Sequence, residues 1–276
     1  MIIKKRLLVL VALILFGFSS HSGFAQEKPF TWPEGIKFGL TLSFDDGRNS
    51  QVDVGTPLFD QYGVKATFVI VPSNAEKRLN KWREAGANGH EIGNHTLHHP
   101  CSGNFSWSKN NALENYTLDK MRTELKDANK QIESKFAVKS TVFAYPCGST
   151  FVGRGTQTQS YVPLIAELFV AGRGWLNESP NDPSFCDLAQ LTGMEMDHKD
   201  FDQILPLLEN AKKSGAWLVL AGHDVGDSGN QTTRVEMLKK LIAYTQDPAN
   251  GVWIAPMGEI ANYVQNQRNI SNISEK

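Results

Sequence analysis

Short, continuously apolar runs alternate with longer stretches in which apolar positions return every three or four residues, from about residue 36 to residue 267. "FGLTLSF" (38–44), "KATFVIV" (65–71), "STVFAYP" (140–146), "AWLVLAGH" (216–223) and "GVWIAP" (251–256) read as strands. They are short, rich in β-branched or aromatic residues, and bounded by glycine, proline or polar residues. "HEIGNH" (90–95) reads as a third short strand with its exit loop, and "QLTGMEM" (190–196) as a further strand. Between them, 51–63, 74–86, 113–135, 201–215, 233–246 and 258–267 read as helices. The one at 113–135 carries Leu118, Met121, Leu125, Ala128 and Ile132 as a single stripe, and Asn74 and Gly63 are a helix cap and a helix stop. "YVPLIAELFVAGRGW" (161–175) passes from helix to strand, while 147–190 as a whole lacks regular pattern and reads as a long loop or insertion over one mouth of the fold.

Repeated β–α alternation implies a parallel sheet, because parallel neighbours need a crossover. Seven or eight such units in about 240 residues favour a closed or nearly closed (β/α) barrel over an open doubly wound sheet. No low-complexity linker divides the chain. The expectation is therefore one α/β domain over residues 30–267, followed by a polar, frayed tail at 268–276.

The first 25 residues stand apart. Lys4, Lys5 and Arg6 precede "LLVLVALILFGF", and "SGFAQ" offers a small-residue cleavage point after Ala25. That is the layout of a secretory signal peptide, which predicts export to the periplasm or the extracellular space. An apolar core of about 12 residues is short against the roughly 20 that span a bilayer, so no stable membrane anchor is expected. Cleavage would leave 251 residues and move the net charge from −1 to about −4. No basic block remains to suggest nucleic acid. Cys101, Cys147 and Cys186 leave one disulfide plus a free thiol, or no disulfide at all, as open alternatives. Oligomeric state is not legible.

In a barrel of this kind functional side chains collect where strands end. Asp45–Asp46 follow the first strand, "NHTLHH" the third, "YPCG" the fourth, and His223 follows "WLVLAG". Adjacent carboxylates repel, and each resists ionising beside the other unless a cation is near. Asp-Gly also suits a plain turn. His95 and His99 lie four apart, a spacing that in a helical turn faces one side and can grip one metal, with His98 as the competing ligand. Adding Asp46 gives a two-histidine, one-carboxylate set with open positions, which suits Zn2+ or another divalent transition metal. Asp45 would then be free to act as a base.

"TLSFDDG", "HTLHH", "FAYPCG" and "LVLAGHD", in this order, resemble the polysaccharide deacetylases of the nodulation-factor deacetylase type, carbohydrate esterases with a distorted (β/α) barrel. The resemblance covers roughly residues 36 to 265. It implies a metal-dependent hydrolase that removes acetyl groups from an N- or O-acetylated glycan. By position it makes Asp45 the catalytic base, His223 the catalytic acid, and Asp46, His95 and His99 the metal ligands. Cys147 would offer its backbone N–H to the oxyanion.

Two departures from the family pattern matter. Members often carry an arginine two residues before the proline of the fourth motif, pairing with the base; here that residue is Ala144, and Arg173 is the nearest substitute in sequence order. Members often carry a pocket-lining leucine two residues before the acid; here that residue is Ala221, preceded by Leu220. Tyr145, Trp175 and Leu220 are the expected substrate contacts. The missing arginine also motivates a second expectation, a glycan-binding protein on the same fold without turnover. A third is a metal-dependent amidase acting on a small non-sugar substrate.

Overall fold

The computed structural model describes residues 30–273, and side chains through residue 269. The expected signal peptide and the last three residues of the expected tail lie outside the described residues.

Eight parallel strands form the central sheet: β1 (Phe38–Phe44), β2 (Thr67–Ile70), β3 (Glu91–Asn94), β4 (Val142–Ala144), β5 (Ala171–Arg173), β6 (Met194–Glu195), β7 (Trp217–Gly222) and β8 (Val252–Ile254). The hydrogen-bonded order is β5-β4-β3-β2-β1-β7-β6. β7 runs along one whole edge of β1, from Gly39 to Phe44, and the other edge is divided. β8 takes its start, with Phe38 opposite Val252, and β2 takes its end, with Phe44 opposite Phe68. The sheet curls until Leu191, just before β6, makes one parallel bridge to Arg173 at the end of β5. Closure rests on that single bridge, with Leu191 N–H donating to Gly172 and Gly174 N–H donating back to Leu191, each at 2.8 Å. This is a distorted (β/α) barrel.

The crossover helices are α1 (Thr56–Gln61), α2 (Leu79–Ala87), α3 (Leu118–Phe136), α4 (Val162–Leu168), α5 (Phe201–Ser214) and α6 (Val235–Gln246), with α7 (Met257–Ile273) closing the chain. α3 starts at the Thr117 side-chain cap and stops at Ala137, whose left-handed backbone ends the helical ladder. α5 opens on a capping box between Asp200 and Gln203. α7 runs past the expected end at 267, and Arg268 donates to the carbonyls of Pro183 and Cys186, so the start of the expected tail is docked helix. Among the described residues no helix is long and apolar enough to cross a membrane.

Strand alternation sorts side chains into two environments. Leu40, Leu42, Phe44, Leu218 and Leu220 pack outward against Ile204 and Leu208 of α5 and Leu238 and Leu241 of α6. Phe143 and Tyr145 likewise face Met121 and Leu125 of α3 and Ile165 of α4. The opposite parity fills the barrel: Trp217 Nε1 donates to Thr41 Oγ1 at 3.1 Å, and Arg173 Nε donates to Ser43 Oγ at 3.1 Å. Within the irregular 147–190 stretch, Phe151–Val152 and Gln159–Ser160 form a small antiparallel ribbon, and Gly153 N–H next to it donates to Leu113 O at 2.9 Å.

Candidate active site

Four strand ends converge on one cleft of about 650 Å³. β1 delivers Asp45 and Asp46, the loop after β3 delivers His95 and His99, the loop after β4 delivers Cys147, and β7 delivers His223.

Asp46 and Gly47 have φ of 77° and 74°, two consecutive left-handed residues that turn the chain sharply off β1. Only glycine adopts this region without penalty, so at Asp46 the turn is strained and held by its surroundings. Its carbonyl accepts from Val71 N–H at 3.3 Å and Asn74 Nδ2 at 3.1 Å. A side chain at Gly47 would meet Ile70 Cβ at 3.0 Å. The turn therefore sends Asp45 inward and Asp46 toward the β3 loop.

Asp46 Oδ1 lies 3.6 Å from His95 Nε2 and 3.5 Å from His99 Nε2. One donor atom from each of the three residues falls within 4.8 Å of the others, a spacing that fits a single cation. His95 Nδ1 is 2.9 Å from the Ala144 carbonyl, which can only accept, so Nδ1 carries the proton and Nε2 presents its lone pair. Burial drives the His95 ring down to about 4, so it is neutral near pH 7 and ready to ligate. Burial raises the Asp46 carboxyl, but His95 and His99 outweigh it and hold the group below its ordinary range.

The histidine pair is not on a helix. Thr96 and His99 are left-handed, at φ of 66° and 50°. Asn94 Oδ1 accepts from Thr96 N–H at 2.7 Å, and Thr96 Oγ1 accepts from His99 N–H at 2.9 Å. This folded loop brings the two rings to 4.7 Å between centroids. His98 turns outward, its Nδ1 3.0 Å from Glu124, and does not join the donor set.

Asp45 is buried, and Arg173, wholly buried, binds it through both terminal nitrogens, one of them at 3.1 Å from Oδ2. Desolvation would raise this carboxyl, but Arg173, with His95 and His223, brings it down to about 2. His223 Nδ1 lies 2.7 Å from Asp197 Oδ2, which leaves Nε2 toward the cleft. Burial lowers the His223 value, but the hydrogen bond to Asp197 together with the charges of Asp45, Asp46 and Asp197 raises it overall, so the imidazolium is favoured. The cleft thus holds an anionic carboxylate and a cation-favouring imidazole together.

Cys147 lines the cleft with a left-handed backbone, φ 54°, and is disulfide-bonded to Cys101, two residues beyond His99. His99, Cys101 and Cys147 would also cluster as donors, but the disulfide occupies both sulfurs. Cys186 is the free thiol.

Trp175 lines the cleft and sets its ring edge-on to His223 at 4.9 Å. Tyr145 and Leu220 do not line it. Tyr145 has the parity of Phe143 and is buried in the helix layer, its hydroxyl donating to Ala189 O at 2.7 Å. Leu220 has the parity of Leu218 and is fully buried against the helices, while Ala221 has the inward parity. Both expected contacts are thereby corrected to core residues.

Sequence reasoning missed Asp197, Arg48 and Gln231. Asp197 lies two residues beyond β6 and directly behind the run at 190–196 read as a strand, so the strand-end rule was its signal. Arg48 donates to Asp46 Oδ2 at 2.9 Å and to Asp224 at 2.8 Å, leaving Asp46 Oδ1 to the histidines; adjacency to "DDG" was its only mark. Gln231 accepts from Arg48 at 2.7 Å and had no local signal.

The sequence profile of the polysaccharide deacetylase family matches residues 35–159. A peptidoglycan-N-acetylglucosamine deacetylase of Bacillus cereus is 33% identical over 144 residues, covering 50% of this chain and 61% of that protein. The chain spans between 10% and 61% of the length of the curated relatives it matches. Among solved structures, a Mycobacterium smegmatis chain assigned as a polysaccharide deacetylase superposes with TM-score 0.63 at 18% identity, covering 87% of this chain and 94% of that one. A family 4 acetyl xylan esterase of Clostridium thermocellum, in complex with a cobalt ion, superposes with TM-score 0.52 at 19% identity, covering 82% and 91%.

Proposed function

Residues 35–159 belong to the polysaccharide deacetylase family, and on that footing we propose that this protein is an exported hydrolase removing acetyl groups from a glycan. One observation carries the reading. A carboxylate held anionic by Arg173 and an imidazole whose protonated form Asp197 favours share a cleft with an Asp–His–His donor set. Opposite protonation states maintained side by side are what paired base and acid catalysis requires.

The donor set of Asp46, His95 and His99 fits a divalent cation in number, spacing and tautomer, zinc being the ion that two imidazoles and a carboxylate suit best. Bound there, the metal supplies Lewis acidity toward the acetyl carbonyl and toward water. The acetyl xylan esterase of related fold is likewise in complex with a divalent ion, cobalt, which supports a divalent ion here.

The chain's own residues do the rest. Asp45 takes the proton from the attacking water, and Arg173 fixes its orientation. As charge develops on the carbonyl oxygen, the Cys147 N–H is the candidate donor to it. His223 protonates the departing nitrogen or oxygen, with Asp197 holding its ring. An amine leaves poorly unless protonated, so His223 matters most for N-acetyl substrates.

The glycan-binding reading without turnover rested on the missing arginine, and Arg173 removes that motive. Acetate release from N-acetylated chitin oligomers, peptidoglycan and acetylated xylan, with and without chelator, tests the proposal. A folded, metal-loaded protein releasing acetate from none of them would count against it.

A further inference from the structure

Phe105 and Trp107 sit on the loop after β3 that also carries His99. Their rings stack at 5.4 Å between centroids with 25° between planes, yet they are 47% and 61% exposed. Both line the cleft that holds Asp46 and His99, and the Trp107 ring lies 5.9 Å from that of His99.

These rings are not the surface of a loose loop. Ser108 is buried, its hydroxyl donating to Cys101 O at 2.9 Å and accepting from Cys101 N–H at 3.0 Å. Leu113 N–H donates to the same Cys101 carbonyl at 2.9 Å. Glu114 takes Ser102 Oγ at 2.7 Å and Gly103 N–H at 2.9 Å. The disulfide from Cys101 to Cys147 ties this frame to the β4 loop. A braced loop thus holds two large apolar rings in water, leaving the free energy of their burial unrealised.

We propose that the Phe105–Trp107 pair is a stacking subsite for a sugar residue adjacent to the acetylated one, so that the substrate is a glycan of several residues; this rests on the deacetylase reading above. The occupant follows from the chemistry of the patch. A pyranose ring has an apolar C–H face that packs on an aromatic plane while its hydroxyl edge stays hydrated. The patch is continuous with the catalytic cleft, whose volume of about 650 Å³ far exceeds what an acetyl group needs. An anionic ligand is disfavoured, because Asp45 and Asp46 line the cleft and Arg48, the one arginine or lysine in its lining, is already engaged by Asp46 and Asp224.

The test compares the unaltered protein with Trp107→Ala, Phe105→Ala and Phe185→Ala, the last removing an aromatic that is 88% exposed and outside the cleft lining. Acetate release is followed as kcat/KM on N-acetylated chitin and O-acetylated xylan oligosaccharides from two to six residues, with metal content measured for each variant. The expected result is a kcat/KM that rises with length in the unaltered protein and in Phe185→Ala. In metal-loaded Trp107→Ala that rise is lost, by about tenfold at the longest substrate. Length profiles that superimpose in the unaltered protein and Trp107→Ala overturn the subsite and leave the deacetylase reading standing. Should the unaltered protein release no acetate at any length, the deacetylase reading fails instead. The subsite is then judged by calorimetric binding of the six-residue oligosaccharides in the Asp45→Asn background. There Trp107→Ala weakens binding about tenfold if the rings stack a sugar, and equal or absent binding in both overturns it.

Discussion

Arg173 stands directly opposite Ala144 in the β4–β5 ladder, and from there its guanidinium grips the carboxylate of Asp45. Arg173 thus reaches the base from the strand beside the one on which the family resemblance leads one to expect an arginine. Both positions have the inward parity, so a guanidinium starting from either can meet the same carboxylate. Arg173→Met should cut turnover by about 100-fold, the size of a general-base contribution. It should also move the acidic limb of the pH–rate profile upward, since burial then raises Asp45 unopposed by its nearest cation. Restoring the charge from the other strand, as Ala144→Arg in the Arg173→Met background, should recover part of the loss. Kinetics of the three variants across pH 4 to about 9 check this, and no rescue with an unmoved limb would separate Arg173 from Asp45 function.

Asp197 should govern the alkaline side of the same profile. An acid works only while protonated, so activity falls as pH rises through the His223 value. Asp197 raises that value against burial, and Asp197→Asn therefore shifts the alkaline limb to lower pH. The loss should be about 100-fold on N-acetyl substrates and smaller on O-acetyl esters, whose leaving group needs less protonation. An alkaline limb that stays in place would show that another group donates the proton.

The two neighbouring histidines should separate by metal content. His99 faces Asp46 Oδ1, whereas His98 is held outward by Glu124. Purified His99→Ala should retain far less than one divalent ion per chain, while His98→Ala keeps its stoichiometry. The reverse pattern, read by elemental analysis, would exchange their roles.

Much of this arrangement was legible in the residues. β1 matches its apolar run, and the ends of β7 differ from theirs by one residue. The order of motifs at strand ends put Asp45, Asp46, His95, His99 and His223 into one cleft. Strand parity was legible only in part, and the reason is physical. β1 alternates, with Gly39, Thr41 and Ser43 on the side opposite Leu40 and Leu42, whereas β7 is buried on both faces and its run of apolar residues carries no alternation to say which side faces the site. Tyr145 and Leu220 were assigned to the cleft on sequence proximity and fall on the helix side. His95 and His99 come together on a folded loop rather than on one face of a helical turn. The actual loop depends on left-handed residues and side-chain hydrogen bonds that periodicity cannot reveal. Asp197 stands directly behind the run at 190–196 that reads as a strand, so its place was marked; its pairing with His223 on the neighbouring strand end had no local signal.

The disulfide makes a stability prediction. It closes a segment with a sequence separation of 46 between the β3 and β4 loops. Replacing both cysteines by serine should lower unfolding free energy by about 2–4 kcal/mol, read by denaturant titration. Activity should fall as well, because the bridge anchors the loop carrying His99 and the backbone of Cys147. A double variant as stable and active as the parent would make the bridge incidental.

The most direct measurement is acetate release by the zinc-restored protein and by Asp45→Asn, with metal content determined for both. Asp45 is not one of the three donors, so Asp45→Asn should retain its metal and lose at least about 100-fold in turnover. Metal-loaded Asp45→Asn releasing acetate at the parent rate would contradict the assignment of Asp45 as the base.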